Sequence, residues 1–122
     1  MFELFVRTQF SAAHRLADYA GDCARRHGHN WEVTVTLGAR ELNNLGLAVD
    51  FREVKEALKR ILDELDHSDL NQYAPFAGMN PSCEVIARHV YRELAKAFSG
   101  DGVRVLRVQI CETPNAGAVY YE

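Results

Sequence analysis

The chain has 122 residues, with 14 Lys+Arg against 17 Asp+Glu and a formal charge of −3. This length suits one domain over residues 1–122 with a core of its own, and 48% hydrophobic residues rule out a disordered chain. The mildly acidic balance argues against a nucleic-acid binder that relies on a basic field, and no apolar run approaches the ~20 residues of a membrane span.

Residues 2–10 alternate, with Phe2, Leu4, Val6 and Phe10 opposite Glu3, Arg7 and Gln9, which predicts a half-buried strand. Residues 29–37 alternate more cleanly, with Trp31, Val33, Val35 and Leu37 on one side. The stretch from Asp18 to Arg26 between them reads as a loop. Asp50 followed by Glu53 is a variant of the capping box. Val54, Leu58, Ile61, Leu62 and Leu65 then recur at helical spacing, with Glu56 and Arg60 as an exposed pair, so a helix is expected over 51–65. Residues 68–80 read as irregular.

Asn80-Pro81-Ser82 predicts a second helix start, with Pro81 at its first position. Ile86, Val90, Leu94, Ala97 and Phe98 mark its apolar face, and Ser99-Gly-Asp-Gly102 its stop. Val103–Cys111 reads as a third strand and Ala118–Tyr121 as a short fourth. The order ββααββ predicts an α+β fold, a four-stranded antiparallel sheet with two helices on one face. The other face, carrying Phe5, Val103 and Val105, is expected to pack against further copies of the chain.

His27-Gly28-His29 opens the second strand. Residues i and i+2 share a strand face, so both imidazoles can reach one point. If the first two strands form a hairpin, His14 returns beside His29. Three neutral imidazoles around one cation are the ligands of a catalytic zinc site with an open fourth position. Cys23, four residues before His27, is either a fourth ligand that closes the site or a thiol whose reactivity nearby cations raise. Cys83 and Cys111 read as packing.

Asp66-His67 ends the first helix. It is either a histidine favoured by the helix dipole or a carboxylate-supported acid–base group. His89 reads as structural. By parity Glu112 shares a strand face with Leu106, Val108 and Ile110. There a carboxylate is costly unless paired or used, and it can accept from two adjacent N–H donors; otherwise it is a solvated residue past the strand end.

In combination the motifs resemble the 6-pyruvoyltetrahydropterin and 6-carboxytetrahydropterin synthase family, of the tunnelling fold. The marks are Phe10-Ser-Ala-Ala-His14-Arg, Cys23-x-x-x-His27-Gly-His29, Val49-Asp50-Phe51, Leu65-Asp66-His67, Leu70-Asn71, Asn80-Pro81-Ser82-Cys83-Glu84 and Glu112-Thr113. The resemblance implies that His14, His27 and His29 bind zinc, that Cys23 is the catalytic base working with Asp66 and His67, and that Glu112 anchors a pterin ring. The family's substrate is 7,8-dihydroneopterin triphosphate, whose side-chain hydroxyls zinc would hold and acidify. The family forms trimers, usually paired into hexamers, with sites between subunits.

The gap of three residues between Cys23 and His27 resembles the queuosine-pathway branch, which makes 6-carboxy-5,6,7,8-tetrahydropterin and releases acetaldehyde and triphosphate. The pyruvoyl-forming branch, which eliminates triphosphate from the same substrate, is the alternative. Cys83 departs from the serine usual at that helix start. Arg25 and Arg26 are candidates for the triphosphate by charge and position. The start Met1–Arg7 lacks a basic and then apolar leader, and Cys23, Cys83 and Cys111 make no disulfide framework. A cytoplasmic location is therefore expected.

Overall fold

A computed structural model describes residues 1–100 and 102–122. Among them, five strands form one mixed sheet in the order β3-β1-β2-β4-β5, with β1 Phe2–His14, β2 His27–Ala39, β3 Ser68–Asp69, β4 Val103–Thr113 and β5 Ala116–Tyr120. Helices α1 (Phe51–Asp63) and α2 (Cys83–Ala97) cover one face. The central strand β2 buries Trp31, Val33, Val35 and Leu37 completely. Val54, Ala57, Leu58 and Leu62 of α1 meet this layer, as do Ile86, Ala87, Val90, Tyr91 and Leu94 of α2. Each fully buried large aliphatic side chain contributes about 1.5–3 kcal/mol.

The α+β class and both helices appear as expected, but the sheet is not a four-stranded antiparallel one. After α1 the chain turns back at His67, whose φ of 55° lies in the left-handed region. Ser68 and Asp69 then pair in parallel with Ala12 and Ala13. Two residues are too few to alternate visibly, and their segment was expected to be irregular. It also holds two short 3-10 turns, Leu70–Gln72 and Ala74–Phe76.

A bulge corrects the expected faces of β4. Thr36 pairs with Arg107 and Leu37 with Val105, which leaves Leu106 as the extra residue. Val105 is therefore buried in the core rather than on the uncovered face, and Val103 packs against that core. Leu106 lies instead over Gly38, where an added Cβ would come within 2.9 Å of the Leu106 Cδ1 atom. Phe5 alone of the three residues assigned to the uncovered face is well exposed, at 59%.

The helix ends also differ in detail. Asp50 caps α1 by accepting from the Arg52 N–H at 2.9 Å. Its exposed ion pair is Lys59–Asp63 rather than Glu56–Arg60. Ser82, not Pro81, borders α2, and its hydroxyl accepts from the Val85 N–H at 3.3 Å. α2 ends at Ala97, and of its expected stop Asp101 lies outside the described residues. Among the described residues no helix is long and apolar enough to cross a membrane.

Candidate metal centre and its surroundings

The end of β1 and the start of β2 bring three histidines to one point. The antiparallel register sets His14 opposite His27 and Ala12 opposite His29, so His14 has His27 as its direct partner and His29 as its diagonal one. A ring nitrogen from each of the three lies within 4.8 Å of the other two. Trp31 forms the floor. Its ring is edge-on to those of His14 and His29, at centroid distances of 4.8 and 5.1 Å, and its Nε1–H donates to the Ala12 carbonyl at 3.1 Å.

Backbone carbonyls set the tautomers of two of the rings. His14 Nδ1–H donates to the Pro81 carbonyl at 2.8 Å, and His27 Nδ1–H donates to the Arg25 carbonyl at 2.7 Å. In neutral rings both Nε2 atoms then carry bare lone pairs, and these face each other at 3.0 Å. His29 Nε2 is buried and has no hydrogen-bond partner among the described residues. Burial pushes the His14 pKa below its ordinary value, against the opposing pull of the Pro81 carbonyl, and it lowers that of His29 as well. Burial thus disfavours the charged forms of His14 and His29, and ring nitrogens of all three histidines converge on one point, an arrangement that suits a divalent cation.

Glu112 stands at the edge of this cluster. Its Oε2 lies 3.6 Å from His29 Nε2 and 3.9 Å from His14 Nε2. It shares the core face with Val108 and Ile110, but not with Leu106, because of the bulge. Cys83 sits beside the Glu112 backbone N–H, and burial, reinforced by the Glu112 charge, pushes its thiol up to about 11. Cys111 is half-buried, where a Cβ at Gly117 would come within 2.7 Å of its Sγ.

Asp66 and His67 lie past the end of α1 and are tied to β1. The Ser11 N–H donates to Asp66 Oδ1 at 2.9 Å, and the His67 N–H donates to the Ser11 carbonyl at 2.6 Å. Asp66 Oδ2 is 2.9 Å from His67 Nδ1. The Ser11 N–H, helped by His67, holds the Asp66 carboxyl below the usual carboxylate range. The His67 imidazole is otherwise exposed, and with His29 it borders a shallow groove that also includes Ser11 and Asn30. Among the described residues neither Asp66 nor His67 joins the three-histidine cluster, although His67 faces the same groove as His29.

Cys23 lies in a 3-10 turn, Asp22–Ala24, and is half-buried. Among the described residues no cysteine sulfur joins the three-histidine cluster. Of the two candidate phosphate contacts, Arg26 is engaged by Asp69 at 2.9 Å. Sequence reasoning missed the Pro81 and Arg25 carbonyls that orient the rings. A carbonyl belongs to every residue and leaves no side-chain signature.

The chain is thus an α+β protein with a candidate metal centre at the strand ends. It belongs to the family described as 6-pyruvoyl tetrahydropterin synthase, whose model matches residues 3–122. It is 30% identical over 133 residues to the 6-carboxy-5,6,7,8-tetrahydropterin synthase of Rickettsia bellii, covering 94% of this chain and 96% of that protein. The synthase of the same name from Bacillus subtilis is 31% identical over 126 residues, covering 98% and 84%. The structure of Caenorhabditis elegans 6-pyruvoyl tetrahydropterin synthase superposes with a TM-score of 0.85 at 27% identity, covering 99% of this chain and 95% of that one.

Proposed function

We propose that this chain is a zinc-dependent lyase. It converts 7,8-dihydroneopterin triphosphate to 6-carboxy-5,6,7,8-tetrahydropterin, with release of acetaldehyde and triphosphate, as an early step of queuosine biosynthesis. The names of the relatives with about 30% identity over nearly the whole chain support this reading. The observation that carries it is the convergence of ring nitrogens of His14, His27 and His29 within 4.8 Å of one another, with the Nδ1–H groups of His14 and His27 turned away to backbone carbonyls. Three neutral imidazoles with a free fourth position suit zinc.

Bound there, zinc would supply Lewis-acid polarisation of the substrate's side-chain oxygens. The chain's own residues do the rest. Glu112, at the rim of the cluster, accepts from the amino-pyrimidine N–H groups of the pterin and fixes its orientation. Cys23 takes the proton from the substrate side chain. His67, supported by Asp66, exchanges protons with the reacting centre.

The sites are completed between copies of the chain. A homohexamer built as a dimer of trimers provides such sites. The β1 edge is paired by β3 only at Ala12 and Ala13, and the exposed Phe2, Phe5 and Val119 leave apolar surface for neighbours. The chain acts as a single domain in the cytoplasm, in keeping with its three free cysteines.

Mass spectrometry of the products formed by the zinc-loaded protein from 7,8-dihydroneopterin triphosphate tests the reading. The expected products are 6-carboxytetrahydropterin and acetaldehyde. A 6-pyruvoyl product assigns the chain to the other branch, which the likeness to the C. elegans synthase keeps as the second reading. Absence of turnover by a zinc-replete sample refutes both.

A further inference from the structure

Three consecutive residues lead from His14 into the loop that carries Cys23, and the backbone of each is held by a different partner. The Arg15 N–H donates to Asn71 Oδ1 at 2.8 Å, and Asn71 Nδ2 donates to the Arg15 carbonyl at 3.0 Å. Asn80 treats Ala17 in the same way, accepting from its N–H at 2.9 Å and donating to its carbonyl at 3.1 Å. Between them the Leu16 N–H donates to the Cys23 carbonyl at 2.8 Å.

Arg15 and Ala17 thus turn their N–H and C=O groups to the two asparagines, and Leu16 turns its N–H to Cys23. A carboxamide offers a donor and an acceptor, as a peptide group does. Each asparagine thus stands in for a rung of a missing neighbouring strand. Both lie in the segment between β3 and α2 that also presents the Pro81 carbonyl to His14. One stretch of chain thereby registers the Cys23 loop against the histidine cluster.

We infer that Asn71 and Asn80 are positioning residues: by pairing with the backbone of Arg15 and Ala17 they hold Leu16 against Cys23 and so aim the Cys23 thiol. The inference rests on the reading of Cys23 as the catalytic base. The pairing needs both a donor and an acceptor on one short side chain. Aspartate accepts but cannot donate, and alanine does neither. Misplacing a reacting group by about 1 Å costs on the order of 100-fold in rate.

The test uses the full zinc-loaded chain and the variants Asn71→Ala, Asn80→Ala, Asn80→Asp and the double alanine. Turnover, bound zinc and the hydrogen exchange of the Leu16 amide are measured in each. In either single alanine variant kcat is expected to fall ~10- to ~100-fold, with KM and zinc content unchanged and Leu16 exchange accelerated. The double variant should be little worse than the singles, since both act through one hydrogen bond. Asn80→Asp keeps the acceptor for the Ala17 N–H and should fall between wild type and Asn80→Ala. It carries the test if the alanine variants do not fold.

An unchanged kcat despite rapid Leu16 exchange overturns the inference. So does a fall in kcat matched by a fall in zinc, which would mean that the segment acts through His14. Absence of turnover by the wild-type chain overturns the underlying reading instead. The Leu16 exchange, read without substrate, separates that failure from failure of the clamp.

Discussion

His14 Nε2 and His27 Nε2 stand 3.0 Å apart, and in neutral rings neither can donate to the other while its Nδ1–H serves a backbone carbonyl. Two bare lone pairs at that distance repel unless a cation or a proton lies between them. Replacing His27 by alanine removes one ligand and relieves this pressure. His27→Ala is expected to lose stoichiometric zinc and all turnover, as metal analysis by inductively coupled plasma mass spectrometry would register. One zinc per chain in the variant would refute the three-histidine site.

Cys23→Ala tests a different role. Its thiol stands outside the histidine cluster, so the variant should bind zinc as the wild type does while turnover falls ~100- to ~10,000-fold, the usual loss when a positioned proton-transfer group is removed. Loss of zinc with the thiol would make Cys23 a metal ligand and not a base.

Asp66 accepts from the Ser11 N–H with one oxygen and supports His67 Nδ1 with the other. Asn at position 66 preserves only one of these bonds, because its amide nitrogen donates. Asp66→Asn should lower kcat by ~10-fold or more through a misoriented imidazole, with zinc content and thermal midpoint near wild type. Full activity would show that His67 needs no carboxylate.

Trp31 is fully buried, stacks on Phe10 with ring centroids 6.0 Å apart and forms the floor of the histidine cluster. Trp31→Ala should cost about 3–5 kcal/mol in urea denaturation, as for other buried aromatics. Trp31→Phe should cost less, since it removes only part of the ring volume together with the indole donor to the Ala12 carbonyl. A smaller loss in Trp31→Ala than in Trp31→Phe would show that the floor collapses to fill the space.

His89 supplies a pH signature. It packs edge-on against Tyr73 and Phe76, and the Tyr73 hydroxyl lies 3.3 Å from its Nε2. Burial holds its pKa below the ordinary value. Glu93 and Glu64 oppose that shift, and Lys96 adds to it. The unfolded chain therefore takes up this proton first, so stability falls as pH drops through ~6.5 and is fully present above it. In His89→Gln the loss of urea stability between pH 7 and pH 5.5 should be shallower. An equal loss in both proteins would mean that His89 titrates normally.

Side-chain chemistry was legible wherever it repeats or clusters. The alternation of β2 and the helical spacing of Val54, Leu58 and Leu62 appear as read, and a hairpin returning His14 to the His27-Gly28-His29 segment could be inferred from order alone. Interactions made through the backbone were not legible. The two-residue β3, the Pro81 carbonyl on His14 and the Ser11 bonds to Asp66 and His67 depend on where the main chain passes, which no residue type declares. The bulge in β4 did leave a trace. The apolar residues Val103 and Val105 occupy odd positions and Val108 and Ile110 even ones.

That change of phase also determines which shortened chains the sheet can accommodate. With Leu106 deleted, Arg107 would still pair with Thr36, and Val105 with Leu37. β4 would become regular, with Val103, Val105, Val108 and Ile110 still turned inward. A one-residue deletion outside the Val105–Val108 interval would rotate one end of β4 and carry its valines or Ile110 to the opposite surface. A one-residue deletion at Leu106 or Arg107 is therefore expected to leave all four of these inward side chains in place.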